Sequence, residues 1–248
     1  MNIEERAKIY ESALMMENSW MKTDSDFMER LLHFTVNEVV NIDDLDDKDR
    51  TMAILATLIG CQGVDLYRNM LKASLNKMVT AVEAKEIVYQ AVDYLGIGRV
   101  YSFLMITNEV FKECGIVLPL ENQAKTTLKT RLKQGIKAQM DIFGEGMKDF
   151  WQSGPEDCKH INKWLAENCF GDYYTRGGLD LRQREMITFC FIAAQGGCEN
   201  QLIAHAKGNM NVGNDKDFLL KIVSQCLPYI GYPRSLNAIA CIRKACEN

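Results

Sequence analysis

Cys198, Gln201 and His205 stand at i, i+3 and i+7 in a stretch that reads as a helix. That spacing gathers them on one face. Such a face is ordinarily apolar and turned to the core; here it carries a thiol, an amide and an imidazole. Arg184 and Glu185 lie upstream at the head of an apolar helix that ends at a Gly-Gly break. A histidine near its ordinary pKa of about 6.5 exchanges a proton at neutral pH, and a carboxylate beside it orients the ring or relays the proton. Glu185 and His205 are therefore the candidate acid–base residues, and Cys198 is a candidate nucleophile. Gln201 is suited to hydrogen-bond a carbonyl, and Arg184 and Arg234 to hold carboxylates of a substrate. A plainer reading stands beside this one: a hydrogen-bonded core histidine, an inert buried thiol and two structural arginines.

The elements that would position these residues are helical. Phe27 to Val40 and Asp47 to Ile59 are two helices, the second closed at Gly60, and Val64 to Asn76 is a third. Thr80-x-x-Glu83 is a capping box that opens a fourth, to about Asp93. Gly96 and Gly98 break the chain before a fifth, through about Cys114. A charged helix is expected from Glu121 to Met140, with its basic residues solvated. The pattern then recurs, with helices from Asp180 or Leu181 to Ala194, from Glu199 to Met210, to about Leu227, and from about Arg234 onward. Alternating strand patterns are scarce, so the predicted class is all-α.

The recurrence extends to the residues. Leu45-Asp46-x-x-x-Arg50 returns as Leu179-Asp180-x-x-x-Arg184, and VYQAVDYLGIGR returns as VSQCLPYIGYPR. Asn76, Gln90, Tyr94, Gly96 and Arg99 correspond to Asn211, Gln225, Tyr229, Gly231 and Arg234. The sequence thus reads as two copies of one helical unit, residues 1–114 and residues 115–248, the latter including the connecting helix. At an offset of 134, Glu185 faces Thr51, Cys198 faces Val64, Gln201 faces Tyr67 and His205 faces Leu71. Moving the register by one residue supplies no histidine or cysteine. The stripe is apolar in the first copy and polar in the second, which marks the second as the candidate active one.

Composition limits the function classes. The 248 residues are 47% hydrophobic and 25% charged, as in an ordinary globular chain. A formal charge of −4 without a basic block argues against nucleic acid as a partner. No apolar run reaches the roughly 18 residues that a bilayer span needs. The first residues carry no signal-like apolar segment, which points to the cytoplasm and away from membranes. Nine cysteines, several in apolar stretches (Cys190, Cys226, Cys241), suggest reduced thiols rather than a disulfide framework. With three histidines and no Cys-x-x-Cys, a metal site is not expected.

Phe170-Gly171-Asp172, Arg176-Gly-Gly-Leu179-Asp180-Leu-Arg182-x-Arg184-Glu185, Gln201-Leu-x-x-His205 and Tyr229-x-Gly231-x-Pro233 together resemble the carboxymuconolactone decarboxylase family. Gly135 and Phe143-Gly144 extend the resemblance upstream. It implies the alkylhydroperoxidase D-like all-helical fold, here in tandem. It also implies a small-molecule substrate, no organic cofactor, and acid–base roles that fall on Glu185 and His205. Members assemble as rings of six units, so a tandem chain implies a homotrimer. The peroxidase branch of this fold uses a Glu, a Cys-x-x-Cys pair and a following His. Here the pair is Cys198-x-x-Gln201, which departs from thiol peroxidase chemistry. Decarboxylation or isomerisation of a small lactone or unsaturated acid is the leading expectation. A thiol-centred oxidoreductase and a non-catalytic assembly protein are the alternatives.

Overall fold

The computed structural model describes residues 1–15 and 20–247, and these form an all-α protein. In chain order the helices are α1 (Ile3–Leu14), α2 (Trp20–Thr23), α3 (Ser25–Leu32), α4 (Asp47–Gly60), α5 (Val64–Ser74), α6 (Ala81–Leu95) and α7 (Ile97–Glu113). They continue with α8 (Arg131–Phe143), α9 (Lys159–Trp164), α10 (Leu181–Gln195), α11 (Glu199–Asn211) and α12 (Lys216–Glu247). Two π-helical segments, His33–Val39 and Leu165–Tyr174, precede α4 and α10. Gly231, at φ 75°, interrupts α12, so it is two helices end to end, as the Gly231-x-Pro233 pattern suggested. Among the described residues no helix is long and apolar enough to cross a membrane.

Side-chain caps decide where several helices begin. Asn2 and Glu5 form a capping box on α1, Thr80 and Glu83 on α6, and Asp180 and Gln183 on α10. Each satisfies backbone N–H groups that the first helical turn leaves without partners. Asp215 accepts from the Phe218 N–H (2.8 Å) at the head of α12.

α4 and α10 lie against each other at the centre. Every residue from Arg50 to Gly60 and from Arg184 to Ala194 is buried. Burial of side chains such as Ile54, Leu55 and Phe191 contributes about 1.5–3 kcal/mol each. The all-round apolarity of these helices predicts burial on both sides, against the other half of the chain and against other subunits. Within the chain they cover each other, and α6 from the first half and α12 from the second pack against both. One chain is large enough to bury both.

Each half contributes a buried arginine to this centre. Arg50 bonds to Asp43 (2.8 Å) and Asp47 (3.0 Å). Arg184 bonds to Glu86 (3.2 Å), to the Gln90 side-chain oxygen (2.7 Å) and to the carbonyl oxygens of Arg176 and Gly177. The Gln90 amide donates to the Arg184 carbonyl (2.9 Å) and to Thr188 (2.8 Å). On the other side, Gln225 donates to the Val39 carbonyl (2.7 Å) and to Asp43 (2.8 Å). The halves are thus cross-tied in both directions.

The connecting segment departs from the expected helix over Glu121 to Met140, because α8 begins only at Arg131. Before it, the chain runs extended along the second half. The Gln123 carbonyl accepts from the Gly177 N–H (2.9 Å), and the Thr126 hydroxyl donates to the Gly171 carbonyl (2.9 Å). Thr130 accepts from the Thr127 N–H (2.9 Å), a local bond of the kind that competes with helix. α8 then packs against the second π-helix so closely that a Cβ on Gly135 would sit 1.8 Å from the Ala166 carbonyl oxygen. Only glycine fits there.

Candidate functional site

Glu185 is the fifth residue of α10 and His205 the seventh of α11. Their side chains meet, with His205 Nδ1 2.9 Å from Glu185 Oε2. The other carboxylate oxygen accepts from the Tyr174 hydroxyl at 2.7 Å. A carboxylate partner places the imidazole proton on Nδ1 and leaves Nε2 as the free lone pair. The rings of Tyr94 and Phe143 stand edge-on to the imidazole, at 5.4 and 5.5 Å between centroids. Asn209 holds the two helices in register by donating to the Glu185 carbonyl (2.9 Å) and the His205 carbonyl (2.8 Å). Gly208 makes the approach possible. A Cβ there would lie 2.7 Å from Glu185 Oε2 and 2.8 Å from the Phe143 ring.

The hydrogen bonds continue inward from Glu185. Tyr174 is bonded to Thr188 (2.9 Å) and to the Tyr94 hydroxyl (2.8 Å), and the Cys169 thiol lies 3.7 Å from that hydroxyl. Burial pushes both tyrosines and the Cys169 thiol well above their ordinary pKa values, so all three stay protonated. Tyr94 belongs to α6, in the first half of the chain, and Tyr174 to the second π-helix.

His205 opens onto a cavity of about 510 Å³ between α6, α8, the second π-helix, α10 and α11. Phe143, Met147, Phe150, Leu165, Phe170 and Ile192 form its apolar wall. The polar lining is Asp93, Tyr94, Gln139, Gln195, Cys198, Gln201 and His205. Asp93 is pushed up to about 8, first by burial and then by the charge of Asp172. Such an arrangement can remove and return protons on a molecule with an apolar body.

The structure brings Glu185, Cys198, Gln201 and His205 to one place. Cys198 caps α11 and accepts a hydrogen bond from the Gln195 amide (3.3 Å), and Gln201 lies exposed at the cavity. The two arginines lie elsewhere. Arg184 is fully buried and faces away from the cavity toward Glu86 and Gln90. A guanidinium needs several acceptors when desolvated, and this one finds four inside the protein. Arg234 is exposed beside Gly196, at the turn between α10 and α11. Neither is therefore placed to hold a substrate carboxylate in this cavity. Among the described residues no group of three or more His, Cys, Asp or Glu is placed to hold a metal ion.

Sequence reasoning missed Asp93, Tyr94, Gln139 and Tyr174. A signal existed for the first: Asp93 is the thirteenth residue of α6, where α12 has Pro228, and it is a charged residue in an otherwise apolar run. A second cavity, about 560 Å³, lies between α6, α7 and the connecting segment. Of its two carboxylates, Glu86 and Glu121, the first is held by Arg176 (2.9 Å) and Arg184.

Residues 160–244 match the carboxymuconolactone decarboxylase family. The matched stretch contains the second π-helix, α10, α11 and most of α12, hence Glu185, Cys198, Gln201 and His205. Asp93, Tyr94 and Gln139 lie outside it. No match to this chain was found among curated proteins.

Proposed function

We propose that this protein is a carboxymuconolactone decarboxylase-like enzyme that moves protons on a small unsaturated lactone or related carbonyl compound, without a cofactor. The observation that carries the reading is the His205–Glu185 pair opening on an apolar cavity. His205 Nε2 takes a proton from the carbon next to the carbonyl, and the adjacent Glu185 charge stabilises the imidazolium that forms. Tyr174 holds Glu185 in the orientation this needs. The lining carries no Lys or Arg among the described residues. Within the expected class, an uncharged lactone that isomerises therefore fits better than an acid that loses its carboxylate.

The test uses α-angelica lactone, a five-membered β,γ-unsaturated lactone, with conversion to its conjugated isomer followed by ultraviolet absorbance. Turnover should fall at least ~10²-fold in His205→Ala. Absence of turnover above that variant's level, on this lactone and on γ-carboxymuconolactone alike, rejects the reading. Cys198 at the cavity supports a second one, a thiol-centred peroxidase drawing on an external thiol. If Cys198→Ser consumes peroxide as fast as the parent protein, that reading fails.

The same proposal includes descent of the two halves from one unit and assembly as a homotrimer of cytoplasmic chains. Arg50 and Arg184 are each the fourth residue of their helices, and Gln90 and Gln225 each the tenth, which supports duplication. Ile97, Tyr101 and Met105 form an exposed apolar stripe on α7, and Tyr232 and Leu236 occupy the corresponding places after Gly231. Light scattering that returns the mass of a single chain overturns the assembly.

A further inference from the structure

Two buried polar groups reach the His205 cavity with atoms that nothing in the protein satisfies. Gln139, on α8, is fully buried, and neither its amide nitrogen nor its oxygen has a protein partner. Asp93 Oδ2, on α6, is likewise buried and unpartnered. Leaving such groups unpaired is costly unless a ligand completes them. Asp93 is also joined to His205 from behind. The Cys169 thiol neighbours its carboxyl, and from that thiol a line of hydrogen bonds runs through Tyr94, Tyr174 and Glu185 to His205. His205, at one end of this line, and Asp93, beside the other, face the same cavity.

We infer that Asp93 is a second catalytic residue of this cavity, a carboxylic acid that delivers a proton to the γ-carbon of the lactone while His205 removes one from the α-carbon. The inference rests on the proposed role of His205. Removal of the α-proton by Nε2 breaks the C–H bond and leaves its electron pair in a dienolate, whose oxygen accepts from the Gln139 N–H. The O–H bond of Asp93 then breaks, and its proton bonds to the γ-carbon. The product is the conjugated isomer; the protein is left with an imidazolium and a carboxylate. One proton passed back along Glu185, Tyr174, Tyr94 and Cys169 restores both, so nothing is consumed. The groups around Asp93 suit a proton donor. Cys169, Asp172 and Tyr173 approach from the second π-helix and Tyr94 from its own helix, and Asp172 is itself shared with Arg131 (2.8 Å). Burial and the Asp172 charge keep the acid form at neutral pH.

The experiment follows α-angelica lactone in deuterated buffer by proton NMR. It reads deuterium entry at the α-carbon separately from conversion to the conjugated isomer. The parent protein should do both and His205→Ala neither. Asp93→Asn, which keeps size and shape, should keep α-exchange within about 3-fold and lose conversion at least ~10²-fold. Gln139→Leu should slow exchange and conversion together. Conversion by Asp93→Asn at the parent rate overturns the inference. If the parent does neither reaction, the proposed function fails, and Asp93 is judged by a carbon-13 titration of its carboxyl in the parent protein. A carboxyl still protonated at pH 7 supports a donor, and one ionised by pH 5 overturns it.

Discussion

Aligned on their first residues, the helix pairs α4–α5 and α10–α11 differ at three positions that bear on the cavity. The fifth residue of the first helix is Thr51 in one half and Glu185 in the other. The seventh of the second helix is Met70 against His205, and the tenth is Ala73 against Gly208. This places the register between α5 and α11 one residue from the 134 offset, within the shift already allowed for. In the first half Thr51 bonds to the Tyr10 hydroxyl (3.0 Å) and to the Met78 sulfur (3.0 Å), and α1 fills the space beside α5. In the second half α8 stands beside α11. There Gly208 lets the Glu185 carboxylate approach, and the cavity stays open. The buried Glu185–His205 contact thus needs three things together: a carboxylate, an imidazole, and a missing side chain that makes room for them. One half has all three, and the other has closed the space with a tyrosine.

The comparison breaks most readily at His205. His205→Ala should lower lactone isomerisation at least ~10²-fold, and adding Met70→His should restore none of it, because the first half lacks the carboxylate and the cavity. Recovery of activity would mean that the first half is also a site. Next in size, Thr51→Glu would bury a carboxylate against Tyr10 and Met78. It should cost about 3–5 kcal/mol, read from the urea midpoint. The further change Met70→His should recover part of that loss by supplying a partner.

Asp93 against Pro228 gives a smaller, pH-dependent contrast. A carboxyl raised from 3.8 to about 8 in the folded protein holds a proton there that the unfolded chain has lost. Stability therefore falls as pH rises from about 4 to about 8. Asp93→Asn removes this dependence and should raise Tm at pH 8 by on the order of 5 °C, with little change at pH 4.5. An equal shift at both pH values would refute the raised acid. Smallest is the exchange at the tenth position. Gly208→Ala should destabilise by about 1–3 kcal/mol through overlap with Glu185 and Phe143. Ala73→Gly should cost only the ~1 kcal/mol of a helical glycine.

Helix order and ends were legible because they depend on local chemistry: the Thr80–Glu83 box, the Asp180 cap and the break at Gly231 all act within a few residues. α1 carried a readable Asn2-x-x-Glu5 box too. The expected helix over Glu121 to Met140 failed because bonds to the second half hold residues 121–127 out of helical form, and Thr127 and Thr130 close a turn just before Arg131. Glu185 and His205 stood out by their absence from the sister stripe. Asp93, Tyr94 and Gln139 reach the cavity only through the packing of α6 and α8, which no spacing along the chain encodes. Arg184 was misread for the same reason, since its carboxylate partner Glu86 lies in the other half.

The reach of α6 into the second half has a consequence for how this chain tolerates change. Gln90, Asp93 and Tyr94 sit on a helix of the half whose own pocket is filled, yet all three touch the open one or the helix that carries it. The absence of a Glu–His pair from the first half therefore does not release that half from constraint. A map of substitution tolerance should be patchy there: permissive for apolar exchanges at Met70, and strict along one side of α6. Excising the matched stretch, residues 160 to 244, would leave part of the cavity wall behind.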